Sequence, residues 1–442
     1  MYVLAVMQNI LEIENSVRNQ TQAGDKSFNS WYQFVLGYPP HLVRYYIFKF
    51  GIQPEHLVLD PFCGTGTTNV ECKKKNIDSL GLEANPVAFF ASRVKTNWQV
   101  PVFDIRQSFQ EVISSSSASL EKFGLPENVS LFVQPQKGKA LQIESKLSDD
   151  QRLVLPKDFI SPTPLRRVLI LKDCIDRVES EPVRELFLLA LANLVVNHAG
   201  NVAFGPEVYT TKPKEDVSVL DFFYRLVDRM ICDLGTQPSP SGYTDIVHGD
   251  ARRVSEFFPT KLGDVNFIVT SPPYPNEKDY TRTTRLESVI LGFVSGKKGL
   301  RTLKEQLLRS NSRNIFVTDS DQDYIKSFDS INKIAREIED KRIHLKKTSG
   351  FEKLYHKIVK HYFGGMYRHL ESMKPLLAPD ARLAYVVGDQ MSFFRTHIPT
   401  AKILAEIAES LSYKVDEIEL WRTRLATATK IQIEENVLIL RN

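Results

Sequence analysis

The sequence is short of cysteine, of long apolar runs and of net charge. Only four cysteines occur in 442 residues, at Cys63, Cys72, Cys174 and Cys232, and none forms a C-x-x-C pair. A disulfide framework and a zinc ribbon are both excluded on that spacing. No apolar run approaches the ~20 residues that a membrane span needs. The opening Met1-Tyr2-Val3-Leu4-Ala5-Val6-Met7 has no basic flank and runs into Glu12 and Glu14, which is not the pattern of a signal peptide. The expectation is a soluble protein of a reducing, cytoplasmic compartment with no membrane contact. The 57 Lys+Arg and 53 Asp+Glu leave a net charge of +4, so any basic surface must come from local clustering. A hydrophobic fraction of 42% with 25% charged residues is globular composition and excludes a disordered chain.

What the chain does have is a rhythm. Residues 31–50 are rich in aromatics and contain Gly37-Tyr38-Pro39-Pro40, after which Leu42, Tyr45, Tyr46 and Lys49 recur at helical spacing. Prolines open helices but do not sit inside them. His56-Leu57-Val58-Leu59-Asp60 has a buried-strand pattern and leads into a glycine turn and a polar helix to Lys75. Ser79-Leu80-Gly81-Leu82-Glu83 reads as a second strand and residues 86–93 as another helix. Strand, helix, strand, helix with tight turns predicts a parallel α/β sheet.

Near residue 100 the rhythm stops. The run Ser114-Ser115-Ser116-Ser117 is expected to be a solvated loop or linker, and 134–164 is polar and punctuated by proline. Two long helical patterns follow, one at 181–199, the other carrying Val219, Phe222, Phe223, Leu226 and Met230 on one stripe. Pro238-Ser239-Pro240-Ser241-Gly242 marks a boundary. The strand pattern then resumes at Asp245-Ile246-Val247-His248 and Val265-Asn266-Phe267-Ile268-Val269. A charged helical stretch, 295–350, interrupts it again. The chain closes with helices at 354–373 and 399–411 and strands at 381–387, 414–421 and 436–440. The prediction is one doubly wound, mostly parallel α/β domain built from residues 30–99, 240–294 and 351–442. Two largely helical insertions, 100–239 and 295–350, split it.

The first chemical signature is Asp60-Pro61-Phe62-Cys63-Gly64-Thr65-Gly66-Thr67-Thr68, placed between a strand and a helix. Glycines there let the backbone approach a ligand, and the helix N-terminus faces the same spot. Glu83 closes the next strand, where a carboxylate typically accepts from ribose hydroxyls. Many α/β loops carry a G-x-G for packing alone. A phosphate-binding loop is excluded, because no G-x-x-x-x-G-K-[ST] occurs at this turn, and Asn69 stands at the third glycine of a dinucleotide fingerprint. The turn suits an adenosine ligand without a pyrophosphate, which points to S-adenosyl-L-methionine. Cys63 reads as a packing residue rather than a nucleophile.

The second signature is Thr270-Ser271-Pro272-Pro273-Tyr274, directly after an apolar strand. Two prolines make a rigid, extended turn. It would fix the Ser271 hydroxyl and the Pro272 carbonyl as two acceptors and leave the Tyr274 ring facing outward as a plate. An aromatic amine needs that set, because acceptors on its N–H bonds shift the lone pair toward a nucleophilic geometry while the plate holds an unstacked base. Alone, S-P-P-Y is often a surface turn.

Together the two turns resemble those of the DNA amino-methyltransferases, the family that modifies cytosine N4 or adenine N6. Gly37-Tyr38-Pro39-Pro40 resembles the family's N-terminal cofactor segment, Gly81-Leu82-Glu83-Ala84-Asn85-Pro86 its ribose-binding strand end, and His248-Gly249-Asp250-Ala251 its G-D-A segment. Residues 385–390 and 435–441 resemble its closing strands. The resemblance covers about half the chain. It implies a Rossmann-like methyltransferase sheet and an S-adenosyl-L-methionine site made by Tyr38, Pro39, Asp60, Phe62, Gly64, Gly66, Thr67, Glu83 and Asp250, the last on the adenine amino group. It implies catalysis by Ser271, Pro272, Pro273 and Tyr274, no metal, and double-stranded DNA as partner, with a cognate restriction endonuclease or other defence component as a further one. Serine at the first catalytic position is commoner among the cytosine-N4 enzymes, which makes cytosine N4 the expected target and adenine N6 the alternative. Cytosine C5 chemistry is set aside, since no Pro-Cys pair exists.

The chain also departs from the family. Its larger insertion lies between Glu83 and Asp250 rather than in the usual positions, so target recognition is expected in 100–239, helped by 296–350. A helical buttress over 181–234 stays open as the other reading. A transfer-RNA guanosine-N2 methyltransferase can share the glycine turn but usually carries D-P-P-Y and an RNA-binding domain ahead of it, and only about 30 residues precede Trp31. A DNA-binding protein on a dead methylase scaffold conflicts with intact Gly64, Gly66, Glu83, Asp250, Ser271 and Tyr274. A nicotinamide oxidoreductase fails on the missing third glycine. Tyr280, Arg282, Arg285 and Glu287 are candidates for the base pocket or a solvated helix start. Arg166-Arg167 and Lys297-Lys298 are candidates for phosphate contact or plain surface.

Overall fold

The computed structural model describes residues 22–33, 37–127, 138, 140–141, 146–205, 207–276, 278–425 and 431–442. The opening segment 1–7 and part of the 134–164 stretch lie outside the described residues. Nine strands occur among the described residues: β1 Leu57–Asp60, β2 Asp78–Glu83, β3 Val202–Phe204, β4 Val208–Thr210, β5 Thr244–His248, β6 Val265–Thr270, β7 Leu377–Gly388, β8 Lys414–Leu425 and β9 Gln432–Arg441. Seven form one sheet in the order β5-β2-β1-β6-β7-β9-β8, and β3 and β4 make a separate hairpin. Pairing is parallel from β5 to β7 and antiparallel across β9 and β8. This is the doubly wound, mostly parallel sheet that the strand rhythm predicts.

The strands read as continuous apolar runs because helices cover both faces. Successive side chains alternate between the two sides. Leu59, Ile268, Leu383 and Tyr385 join one core with Tyr362, Phe363 and Met366 of the helix Tyr355–Met373. Val58, Phe267, Val269 and Val386 join the other with Leu42, Val43 and Tyr46 of the helix Pro40–Lys49. The sheet order reverses between β1 and β6, and a ligand crevice forms at the carboxyl ends of strands flanking such a switch.

The described residues of 100–239 fold as a largely helical layer against the helix Pro86–Thr96. Phe109, Phe187 and Phe223 from three of its helices share one apolar cluster with Phe28, Trp31 and Phe90. The serine run is a correction. It lies inside the helix Val102–Lys122, not in a loop, with Ser116 and Ser119 fully buried. Ser115 and Ser119 donate to the carbonyls of Glu111 and Ser115, which satisfies those two hydroxyls within the helix, whereas the buried Ser116 Oγ has no hydrogen-bond partner among the described residues. The 181–199 helix also ends earlier, as Glu181–Leu194 followed by a wider π turn at Val195–Ala199.

Candidate active site

Asp60 ends β1 fully buried and ties together three segments distant in sequence. Its Oδ1 accepts from the Thr270 hydroxyl at 2.6 Å and the Phe62 N–H at 3.1 Å, and its Oδ2 from the Tyr38 hydroxyl at 2.7 Å. Burial pushes this carboxyl above its ordinary range, against the pull of those donors. Tyr38 also meets the Thr68 hydroxyl, which itself donates to the Val269 carbonyl at 3.0 Å. Asp60 therefore fixes Tyr38, the glycine turn and the end of β6 relative to one another, from beneath the cleft they border.

The two glycines of the turn do different things. Both have positive φ, +52° at Gly64 and +80° at Gly66. A Cβ on Gly66 would stand 2.9 Å from the Ser92 Cβ, so this glycine lets the turn close on the helix Pro86–Thr96. A Cβ on Gly64 would meet nothing within 4 Å, and Gly64 lines the cleft. The Gly64 N–H donates to Glu83 Oε2 at 2.8 Å, and the Asn85 N–H to Oε1 at 2.7 Å. Burial pushes the Glu83 carboxyl up to about 7, against those backbone donors.

A cleft opens at the carboxyl ends of β1, β2, β5 and β6. Tyr38, Phe62, Gly64, Thr67, Glu83, Asp250, Ser271 and Pro273 of the expected residues line it. Asp60, Gly66, Pro272 and Tyr274 are not part of that lining, and Pro39 borders a neighbouring depression. Phe62, Leu82, Leu307 and Leu308 give the cleft apolar walls beside the Glu83 carboxylate and the open space over Gly64. A flat purine and a ribose diol fit that donor set. Leu307 and Leu308 come from the second insertion and escape sequence reasoning, since no motif marks them.

Asp250 lines the cleft with its carboxylate held by Arg252. Its Oδ1 accepts from the Arg252 N–H at 2.9 Å and Nε at 3.0 Å, and its Oδ2 from Nε at 3.1 Å and Nη2 at 2.7 Å. These are three N–H donors on two oxygens that offer about four acceptor positions, so one position is left for a further donor from the cleft. Arg252 also donates from Nη1 to Asp321 Oδ2 at 2.9 Å and from Nη2 to the Glu305 carbonyl at 2.8 Å, which ties the second insertion to this wall.

At the S-P-P-Y turn the Ser271 hydroxyl donates to the Val386 carbonyl of β7 at 3.0 Å. Its single proton is thereby committed, and its lone pairs remain to accept. The Tyr274 ring does not face outward as expected. It is half-buried over Gly388, where a Cβ would come within 2.6 Å of it, and its hydroxyl donates to Glu435 at 2.7 Å. Tyr280 lines the cleft, whereas Arg285 and Glu287 are buried, Arg285 donating to the Thr281 carbonyl and Glu287 accepting from the Tyr32 hydroxyl. Arg167 is also buried, paired with Asp216, which removes it as a phosphate contact.

A polar chamber adjoins the cleft and shares Gly37, Tyr38, Thr65 and Thr67 with it. Lys95 borders it with 1% exposure and no ion-pair partner among the described residues, and burial pushes its ammonium down to about 7. Glu287 Oε2 and Asn29 Oδ1 border the same chamber without hydrogen-bond partners among the described residues. Sequence reasoning passed over Lys95, although it lies four residues after Ala91 and eight after Val87, on the buried face of its helix.

A family profile described as DNA methylase, N6_N4_Mtase, matches residues 6–91, which carry the first cofactor segment, the glycine turn and Glu83. Over that segment the chain is similar to the DNA amino-methyltransferases. Type II methyltransferase M.BsoBI of Geobacillus stearothermophilus is 23% identical over 317 residues, covering 69% of this chain and 60% of that protein. The chain thus spans less than two thirds of that relative's length. Type II methyltransferase M.AvaI of a Nostoc strain, and the protein of the same name from Anabaena variabilis, are each 23% identical over 420 residues, 88% of this chain and 79% of theirs. These alignments extend well beyond the profile match. Among the described residues no helix is long and apolar enough to cross a membrane.

Proposed function

We propose that this chain transfers a methyl group from S-adenosyl-L-methionine to the exocyclic amino group of a base in double-stranded DNA, with cytosine N4 as the preferred acceptor. The observation that carries the reading is the convergence of Gly64, Glu83 and Ser271, from three separate segments, on one cleft. The cofactor, when bound, supplies a methyl group on a sulfonium, which is the electrophile. Glu83 would hold the ribose diol, Gly64 would leave room for the ligand, and Phe62, Leu307 and Leu308 would enclose the purine and exclude water.

The rest is done by the S-P-P-Y turn. Ser271, its proton spent on Val386, presents lone pairs to one N–H of the target amine. The Pro272 carbonyl, which accepts from no described residue, takes the other. Together they localise the nitrogen lone pair toward the methyl donor. Tyr274, braced by Gly388 and Glu435, offers a ring fixed in place for stacking on the extruded base. A serine in the first position of the turn favours cytosine N4 over adenine N6 by its resemblance to the cytosine enzymes. The S-P-P-Y form also weighs against a transfer-RNA guanosine enzyme.

The test is incubation with methyl-labelled cofactor and plasmid DNA, then nucleoside mass spectrometry of the digest. N4-methylcytosine is the expected product. N6-methyladenine would reassign the base within the family. Label in transfer RNA and none in DNA would overturn the substrate.

A further inference from the structure

A dense cluster of positive charge lies at one corner of this chain. Residues 341–360 hold seven Lys+Arg and one acidic residue, a net of +6, although the whole chain is only +4. The first insertion, 100–239, holds 16 Lys+Arg against 19 Asp+Glu and is net acidic. The corner joins the helix Asp329–His344 to the helix Tyr355–Met373, and every residue from Ile343 to Phe351 is exposed. Lys346, Lys347, Lys353 and Lys357 are exposed on it, and Lys346, Lys353 and Lys357 have no ion-pair partner among the described residues. Apolar side chains stand between them in water, with Ile343 at 59%, Leu345 at 50% and Phe351 at 54% exposure. A solvated helix end does not need three large apolar groups, and an interface with another protein would not gain from so dense a single-sign charge. Lysines alternating with an aromatic and aliphatic wedge suit a polyanion that also offers base faces.

The corner is seated on the catalytic rim. Tyr355 packs on Phe393 and Phe394 with ring centroids 4.7 and 5.3 Å away, and Lys341 Nζ donates to the Thr396 hydroxyl at 3.0 Å. Those partners belong to the loop that follows β7, whose last residue, Gly388, supports the Tyr274 ring. We propose that the 341–360 corner is the duplex-gripping element of this chain: Lys346, Lys347, Lys353 and Lys357 contact phosphates beside the target base, and Phe351 packs against the opened base stack. This rests on the DNA reading above and moves the main DNA contact from the first insertion to the junction of the second insertion with the closing segment.

The test uses the full chain and a fluorescent 30-base-pair duplex, with anisotropy titrations at several salt concentrations. Charge reversal at Lys346, Lys347 and Lys353 to Glu should weaken duplex binding by at least about tenfold and flatten the salt dependence by roughly two to three phosphate contacts. Phe351→Ala should weaken binding with the salt slope unchanged. A matched reversal of exposed Lys157, Arg166 and Lys212 in the first insertion should leave affinity within about twofold. Cofactor affinity, measured by calorimetry, should be the same in all four proteins, which certifies their folding. If the corner variants bind duplex like the parent, or the matched reversal is the one that loses it, the corner is not the gripping element and the DNA reading survives. If the parent binds cofactor and structured RNA but no duplex, both the corner's assignment and the DNA reading fall.

Discussion

Ser271 shows how a single hydrogen bond decides what a residue can do. A hydroxyl has one proton to give, and the Val386 carbonyl, 3.0 Å away on the neighbouring strand, receives it. Toward the cleft Ser271 is therefore an acceptor alone. Ser271→Ala should remove an interaction of about 0.5–1.5 kcal/mol net, and more if it strengthens as charge develops. Turnover should fall by roughly threefold to tenfold or more, while cofactor affinity stays put because Ser271 holds no part of the Glu83 and Gly64 site. Single-turnover rates and calorimetry on the same variant check both halves, and an unchanged rate would remove Ser271 from the mechanism. The serine was legible in the sequence, but its bond to Val386 was not, since that requires the pairing of β6 with β7. The same limit applies to Gly64 and Gly66. One motif names both, and only the neighbouring helix shows that Gly66 answers to Ser92.

Elements were legible where burial was two-sided or periodic. β1, β2 and β6 announce themselves because each is a short apolar run between turn residues, and β7 and β9 follow the same rule with ends that extend beyond the apolar stretch, whereas the edge strands β5 and β8 are largely unburied. The serine run failed for the opposite reason. Serine is a weak signal for loops, and the Phe109, Val112, Ile113 and Leu120 stripe of the surrounding helix outweighs it. The helix Pro86–Thr96 carries a different surprise in Lys95, a buried ammonium without a counter-ion among the described residues. Its folded value near 7 lies below the ordinary 10.5, so between those limits the unfolded chain binds the extra proton and stability rises with pH. Lys95→Met should stabilise the ligand-free protein by about 1–4 kcal/mol at neutral pH and below, with the gain shrinking as pH approaches 10.5. Denaturant unfolding of both proteins at three pH values measures it. A variant less stable than the parent at pH 7 would mean that Lys95 is paired in solution.

At the scale of the whole molecule, the second insertion is built into the site. It supplies Leu307 and Leu308 to the cleft, and its Asp321 sits 2% exposed between Arg252 and Arg368, accepting from them at 2.9 and 2.6 Å. Arg252 in turn clamps Asp250 on the cleft wall. No spacing rule joins residues 250, 252, 321 and 368, so this chain of ion pairs was invisible in the sequence. Burial alone would raise the Asp321 carboxyl, but the two guanidinium groups overcome it and hold the group below its ordinary 3.8. A depressed folded value means stability that is present above about 3.8 and lost as pH falls through that range. Glu83 and Glu287 act in the opposite sense. Burial pushes both up to about 7, so acidification from 7 toward 4.5 favours the folded state through them. Through these two carboxyls the parent should gain stability on mild acidification. His369 partly offsets the gain, since burial holds its imidazole down to about 4 and costs stability below 6.5, and the loss should steepen below about 4. Asp321→Asn leaves two buried or part-buried guanidinium groups short of a counter-charge and should cost about 3–5 kcal/mol at pH 7. Its unfolding curve should keep the rise between pH 7 and 5 and lose much of the fall below 4. It should also weaken cofactor binding, because Arg252 and the Asp250 wall it clamps lose their anchor on the insertion. An acid limb as steep in the variant as in the parent would show that Asp321 does not couple the insertion to the cleft.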